Sequence, residues 1–272
     1  MSNVVAFRPV PRELKSVRPV EIFNATINPH LANLRAFFGH AVPSPPPYLD
    51  NVQILFVCYT NRSGSNFLCE ALSSTGVYNM GQELLNWTAL LKTAVKLRAH
   101  SLDELLEMLI RPQIRDGRFV MKVSCAHIEV LVKCGLMAPV MPNAQFVHVE
   151  RADRLAQAIS FEIAAQTSAW TSLMTQKSDS AKQLVYSRKQ LAKLVRSFAD
   201  QNRLLDVFFG LNGITPAHVL YERLVIDPQL QVSAVGQLVG LQGLAMDRSQ
   251  MRLERQATSI NKEWRARFLA GE

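Results

Sequence analysis

The chain has 272 residues, enough for one large domain or two small ones, and its 48% hydrophobic and 19% charged residues are an ordinary globular balance. No apolar run approaches the roughly 18 residues that a membrane-spanning helix needs, so no integral membrane segment is expected. The net charge of +8, from 30 basic and 22 acidic residues, points to an anionic partner without choosing among nucleic acid, an anionic surface and a phosphorylated small molecule.

The first 50 residues hold eight of the 13 prolines, and the run Val42-Pro-Ser-Pro-Pro-Pro-Tyr48 cannot continue a helix. This predicts an N-terminal extension over residues 1–50, with a short helix near Leu31 to Phe38 and a stiff linker, before a main domain over 51–272. The extension reads equally as a dimer contact in a homodimer, a lid or disordered chain. It lacks a continuous apolar segment, so no secretory signal is expected. The four cysteines, Cys58, Cys69, Cys125 and Cys134, form no C-x-x-C pair and read as reduced thiols in a cytoplasmic protein, with no metal expected.

Strands and helices then alternate. Val52 to Cys58 is a short apolar run that predicts a buried strand, and Asn66 to Ser74 predicts a helix stopped by Gly76. Further strands are predicted at Phe119 to Val123, Gln145 to Val149 and Ala217 to Tyr221. Helical spacing is seen at Leu155, Ile159 and Ile163, and again at Leu191, Leu194, Val195 and Phe198. The fold class is therefore α/β: a P-loop-like parallel sheet with helices on both faces in a single main domain. The basic stretch Lys177 to Arg203 reads as a solvated helix face.

The informative junction is Tyr59-Thr60-Asn61-Arg62-Ser63-Gly64-Ser65-Asn66-Phe67-Leu68, where a buried strand turns into a helix. Loop amides, the helix dipole, the Arg62 guanidinium and the hydroxyl and amide groups of Ser63, Ser65 and Asn66 converge into an anion cradle at a strand's carboxyl end. The plainer reading is a serine N-cap. A nucleoside-triphosphatase loop would need G-x-x-x-x-G-K-[ST], and neither its first glycine nor the Gly-Lys pair is present, which makes a P-loop-like nucleotide-binding kinase the weaker alternative.

Thr60 to Glu70 resembles the 5′-phosphosulfate loop of sulfotransferases, in the form found in bacterial carbohydrate sulfotransferases of the trehalose 2-sulfotransferase type. Asn61 stands where that family has proline and Asn66 where it has threonine. The segment Gly76 to Leu85 resembles the family's stretch after the loop helix, with its glutamate at Glu83. Phe146 to Ser160 resembles the strand and helix that take the nucleotide 3′-phosphate through Arg151 and Ser160. Tyr221-Glu222-Arg223-Leu224 resembles the element whose tyrosine lies by the adenine. Arg255-Gln256-Ala257, with Trp264 and Phe268, resembles the closing segment that returns to the 3′-phosphate. Five ordered matches span residues 52 to 268.

The resemblance implies 3′-phosphoadenosine 5′-phosphosulfate (PAPS) as co-substrate, its bisphosphate (PAP) as product, no metal, and a carbohydrate or glycolipid hydroxyl as acceptor. It implies nucleotide contacts from Asn61, Arg62, Ser63, Gly64, Ser65, Asn66, Phe67, Arg151, Ser160, Tyr221, Arg255 and Gln256, with Arg62 also catalytic. Glu83 is the expected base, its carboxyl raised by partial burial among Leu84, Leu85 and Trp87. His127, expected to face the cleft, is the second choice, and His148 reads as a core histidine. Lys122 is a further candidate for the sulfuryl oxygens. A nucleic-acid binder would interleave basic clusters with stacking aromatics, yet aromatics are 8% and no such cluster occurs.

Overall fold

Gln53–Tyr59 (β1) is buried along its whole length, as a strand covered on both faces must be. Arg118–Val123 (β2) flanks it on one side, Ala144–Glu150 (β3) on the other, and Ala217–Leu220 (β4) lies beyond β3. Every pairing is parallel, in the order β2-β1-β3-β4. The structure, a computed structural model, describes residues 20–22, 28–39, 43, 45–173, 184–253 and 258–272, with the backbone alone at Trp87 and Thr88.

Side-chain alternation divides the core between the sheet's faces. Ile54, Phe56, Cys58, Phe119, Met121 and Phe146 point to a layer that includes Cys125–Lys133 (α5) and Arg188–Leu211 (α8). Leu55, Val57, Tyr59, Val120, Val147 and Val149 point to Ser65–Ser74 (α2) and Pro228–Leu238 (α10). Arg154–Thr167 (α7) and Ser259–Leu269 (α11) join α8 through Ile159, Phe198 and Trp264. Trp87–Leu97 (α3), Leu102–Ile110 (α4), Met137–Val140 (α6) and Tyr221–Leu224 (α9) are further helices. The parallel α/β fold expected from the sequence is the fold observed, and each predicted strand lies within a residue or two of its expected place. In the described part of the basic stretch, Arg188, Lys189, Lys193, Arg196 and Arg203 are exposed on α8, a solvated face as expected.

The described part of the N-terminal region packs against the main domain. Its helix is Pro29–Phe38 (α1), and Leu31 and Leu34 are buried in the same cluster as β1 and α5. Asn28 caps it, its Oδ1 accepting from the amides of His30 and Leu31 at 3.0 and 3.2 Å. The same side chain donates to the Ala126 carbonyl at 2.8 Å and to the buried Glu129 carboxylate at 2.9 Å. The prolines serve this packing: Pro29 starts α1, and Pro47 opens a 3₁₀ turn, Pro47–Asn51, that buries Leu49. Residues 1–19, 23–27, 40–42 and 44 lie outside the described residues.

Replacing Asn28 by Ala removes a helix cap and a partner of buried Glu129. The expected loss is about 2 kcal/mol, or roughly 4–8 °C in melting temperature. An unchanged melting temperature by calorimetry would mean that α1 does not contribute to the stability of the core.

Candidate functional site

The chain leaves β1 at Tyr59 and must enter α2 at Ser65. That reversal uses two left-handed residues, Arg62 (φ 65°) and Gly64 (φ 95°). Glycine adopts this backbone readily, whereas for arginine it costs on the order of 1 kcal/mol. Gly64 has a second reason to lack a side chain: a Cβ there would stand 2.7 Å from the Tyr221 ring. The loop is tethered from α7 by the fully buried Gln157, whose amide donates to Thr60 Oγ1 at 2.8 Å and to the Asn61 carbonyl at 2.7 Å. Gly64 caps α2 without a side-chain hydrogen bond, so the first-turn amides are left to the space in front of them. By contrast α5, α7, α8 and α10 carry serine or aspartate caps. The serine-cap reading of this junction does not hold, because Ser63 is buried and turned inward while its amide bonds the Thr60 carbonyl at 3.2 Å.

A cleft of about 900 Å³ opens in front of the loop, at the carboxyl ends of the strands. Of the residues singled out from sequence, Asn61, Arg62, Gly64, Ser65, Asn66, Phe67, Glu83, Arg151, Ser160 and Tyr221 line it; Ser63 does not. Arg255 and Gln256 lie outside the described residues, although Leu253 and Asn261 on either side of them reach the cleft. Trp264 belongs to the α7–α8–α11 core instead.

Arg62 and Arg151, expected to serve two separate anions, meet within this one cleft. The Arg62 guanidinium donates to Ser160 Oγ at 2.9 Å and to the Trp170 carbonyl. Arg151 stacks over the Tyr221 ring at 4.6 Å and reaches the Arg62 carbonyl at 3.5 Å. Burial and then the neighbouring Arg151 charge lower the Arg62 pKa. The nearby acids have other partners: Glu150 bonds Arg154 at 2.9 Å and Asp153 bonds Arg265 at 2.7 Å. Glu222 accepts from the amides of Ala152 and Asp153 at 3.1 and 3.2 Å, fixing the turn that presents Arg151.

Glu83 is placed by a short extension of the sheet. Gln82 bridges Met121 in parallel, and the Lys122 amide bonds the Gln82 carbonyl at 3.0 Å. The approach requires Gly81, where a Cβ would stand 2.7 Å from Cys69 Sγ. Lys122 Nζ then meets Glu83 Oε1 at 3.0 Å and also donates to Asn66 Oδ1. Asn86 bonds the other carboxylate oxygen at 3.3 Å, and the Tyr59 hydroxyl is a further partner. Burial pushes the Glu83 pKa up, but the Lys122 charge and these three hydrogen bonds outweigh it, and the net shift is downward. The expectation of a raised carboxyl was wrong because it considered Leu84 and Leu85 as surroundings; both point into the core, and polar groups surround the carboxylate.

His127 does not line the cleft. It is 2% exposed, and its Nδ1 accepts from the Ser124 amide at 3.3 Å in a capping box that starts α5. Burial and then the adjacent His30 lower its pKa to about 4. His148 is fully buried, as expected of a core histidine. Sequence reasoning missed Tyr59, Asn86, Phe161 and Trp170 as cleft residues, and it gave Lys122 little weight. The signal for Lys122 was its lone charge inside Phe119-Val-Met-Lys-Val123, since a lysine in a buried strand needs a partner.

Comparison with known proteins adds sequence relationships. The family model described as Stf0 sulphotransferase matches residues 132–271, a stretch that includes Arg151, Ser160 and Tyr221 but not the Arg62 loop or Glu83. Trehalose 2-sulfotransferase of Mycobacterium tuberculosis (strain ATCC 35801 / TMC 107 / Erdman) is 35% identical over 125 residues, which are 46% of this chain and 45% of that protein. The match thus spans less than half of the relative's length. A sulfotransferase from Alicyclobacillus acidocaldarius superposes with a TM-score of 0.43 at 14% identity, over 79% of this chain and 91% of that one. Retinol dehydratase in complex with androsterone and inactive cofactor PAP superposes with a TM-score of 0.42 at 13% identity, over 88% and 68%. These structural likenesses are distant.

Lys122→Met should reverse the Glu83 shift, because burial would then act unopposed by the ammonium. In the native protein the lowered pKa means that Glu83 contributes stability fully above its unfolded value of about 4.3, lost as pH falls through the folded value. Carboxyl-carbon NMR titration should show Glu83 below the usual glutamate range in the native chain and above it in the variant. A shift unmoved by the substitution would separate the two side chains electrostatically.

Proposed function

The chain belongs to the Stf0 sulphotransferase family, whose model matches residues 132–271, and we propose that it moves a sulfuryl group from PAPS to a hydroxyl of a carbohydrate or glycolipid. The observation that carries this reading is the joining of Arg62, Ser160 and Arg151 with the uncapped start of α2 in a single cleft. A nucleotide phosphorylated on both sides of its ribose needs cationic contacts at two points of one site. About 900 Å³ is within the size range of small-molecule sites. The close approach of the Tyr221 ring to Gly64 supports this reading, in which the phosphate end and the base of the nucleotide share one wall.

On this reading the first-turn amides of α2 and Arg62 hold the 5′-phosphate, and Arg151 with Ser160 holds the 3′-phosphate. Asn61, Ser65, Asn66 and Phe67 shape the loop side, Tyr221 lies against the adenine, and Arg255 and Gln256 are assigned to the 3′-phosphate by the family resemblance alone. PAPS supplies an activated sulfuryl group. The protein's part is positioning and stabilisation of the charge that grows on the departing phosphate. Glu83 takes the acceptor's proton. Its lowered pKa keeps it ionised at neutral pH, and the hydroxyl becomes more acidic as its bond to sulfur forms.

The partial match to a protein named trehalose 2-sulfotransferase supports a sugar acceptor. Val225, Ile226 and Leu253 add apolar surface at the cleft, which suits a glycolipid. Residues 51–272 form the sulfotransferase domain in this proposal. Among the described residues no single helix is long and apolar enough to cross a membrane.

Calorimetry with PAP and with 5′-AMP tests the nucleotide site. Arg151→Ala should weaken PAP by roughly 2–5 kcal/mol and leave 5′-AMP little changed. Equal losses for both ligands would remove Arg151 from the 3′-phosphate. For the chemical step, Glu83→Gln should lower turnover about a hundredfold or more while PAP affinity stays nearly unchanged, and His127→Asn should cost less. Normal turnover in Glu83→Gln would overturn the assignment of the base.

A further inference from the structure

On the α8 side of the sheet, β3 presents Phe146, His148 and Glu150 in alternation. Parallel register sets His218 of β4 directly beside His148. The three side chains bring ligand atoms within 4.8 Å of one another. His218 Nδ1 lies 3.6 Å from Glu150 Oε2, and His148 Nδ1 lies 3.9 Å from that same oxygen. From above, α8 adds Asp206, whose Oδ1 is 3.5 Å from His148 Nδ1.

The hydrogen bonds around this group leave one position open. His148 Nε2 is engaged with Asn202 Oδ1 at 3.2 Å, which favours the proton on Nε2 and a lone pair on Nδ1. His148 is fully buried, and its Nδ1 has no hydrogen-bond partner among the described residues. A lone pair therefore faces carboxylate oxygens of Asp206 and Glu150 at 3.5 and 3.9 Å. Glu150 is held in this attitude because Arg154 occupies its other oxygen at 2.9 Å.

We infer that His148, Glu150 and His218 form a binding site for a first-row divalent cation, with zinc the best match and Asp206 standing beside His148. Imidazole nitrogens and carboxylate oxygens are the ligands such ions take, at about 2.0–2.2 Å in a tetrahedron. A tetrahedron of that size sets ligand atoms about 3.3–3.6 Å apart, and the 3.6 and 3.9 Å separations of the two Nδ1 atoms from Glu150 Oε2 need little closing. The Nε2 bond to Asn202 is the outer contact that orients a ligating imidazole. His218 and Asp206 are more than half exposed, so an ion can enter from solvent. The site would fasten the end of β3, one residue before Arg151, to α8. The ligands come from three separated parts of the chain, which is why no spacing in the sequence announced them.

The test uses the full chain without a polyhistidine tag, stripped with a chelator and titrated calorimetrically with zinc chloride. One equivalent should bind and raise the melting temperature, and cobalt in its place should give the visible spectrum of a tetrahedral site. His218→Ala, a change at an exposed position, should weaken zinc by at least about a hundredfold, the upper range for merely disturbing a ligand's outer contact. Glu150→Gln should weaken it in the same direction. Absence of zinc binding by the native chain would overturn the inference and assign the Nδ1 position to a shared proton. Binding of unchanged affinity in both variants would overturn it too, by placing the ion elsewhere.

Discussion

The reversal between Tyr59 and Ser65 is the constraint to which most of the molecule answers. β1 is buried on both faces, so its end cannot drift without opening two cores at once. The loop that follows must turn through left-handed backbone at Arg62 and Gly64, and only glycine leaves room for Tyr221 at the second position. Gln157 then fixes the loop from α7 by satisfying Thr60 and the Asn61 carbonyl. A strained backbone held from three directions keeps the amides of α2 aimed into the cleft before any ligand arrives, and such preorganisation is what an anion site gains most from.

Charge is distributed to the same end. Two guanidinium groups come close together in the cleft, an arrangement that burial makes unfavourable on its own. It persists beside Glu150, Asp153 and Glu222, yet each of these has a structural bond: to Arg154, to Arg265 and to the turn amides of Ala152 and Asp153. The acids near Arg151 thus stabilise the scaffold, and, against burial, the Arg151 charge in turn helps to hold the Asp153 pKa down. At the other wall the balance is reversed, because Lys122 and Glu83 neutralise one another at 3.0 Å and Asn66 links the pair to α2. One wall favours an anion, and the other holds a neutral pair beside it.

Much of this was legible in the sequence, for reasons that differ by residue. Strands buried on both faces read as apolar runs, which made β1 and β2 legible, while the less covered β3 and β4 still showed as short apolar runs. The loop was legible because Arg62, Ser63 and Gly64 sit at a strand-to-helix junction, where chemistry and local geometry coincide. What escaped depended on contacts distant in the chain. The packing of α1 rests on Asn28 meeting Glu129 across 101 positions, and a proline-rich segment hides such a contact behind its own composition. The Glu83 environment was misread because the immediate neighbours Leu84 and Leu85 face the core, while Lys122 and Tyr59 come from other strands. Sequence neighbours describe a residue's surroundings only when the backbone turns them to the same side.

That distinction bears on which of two groups is suited to move a proton in the cleft. His127 has the side-chain type most often used for the task, but burial and His30 hold it neutral near the foot of α5, and its ring nitrogen is committed to the Ser124 amide. Using it would require uncapping a helix and opening a core contact with His30 at 4.9 Å. Glu83 is intrinsically the weaker base, made weaker by Lys122, yet it is on the cleft wall and ionised, and its partners arrive from β1, β2 and the turn at Asn86 without crossing the opening. Proton transfer requires hydrogen-bond distance before affinity for the proton can matter, so on the proposed reading a carboxylate that lines the cleft is better placed than a buried imidazole. The Lys122 ammonium that lowers the carboxylate's basicity also fixes its direction at 3.0 Å, so the same contact that costs driving force supplies the geometry.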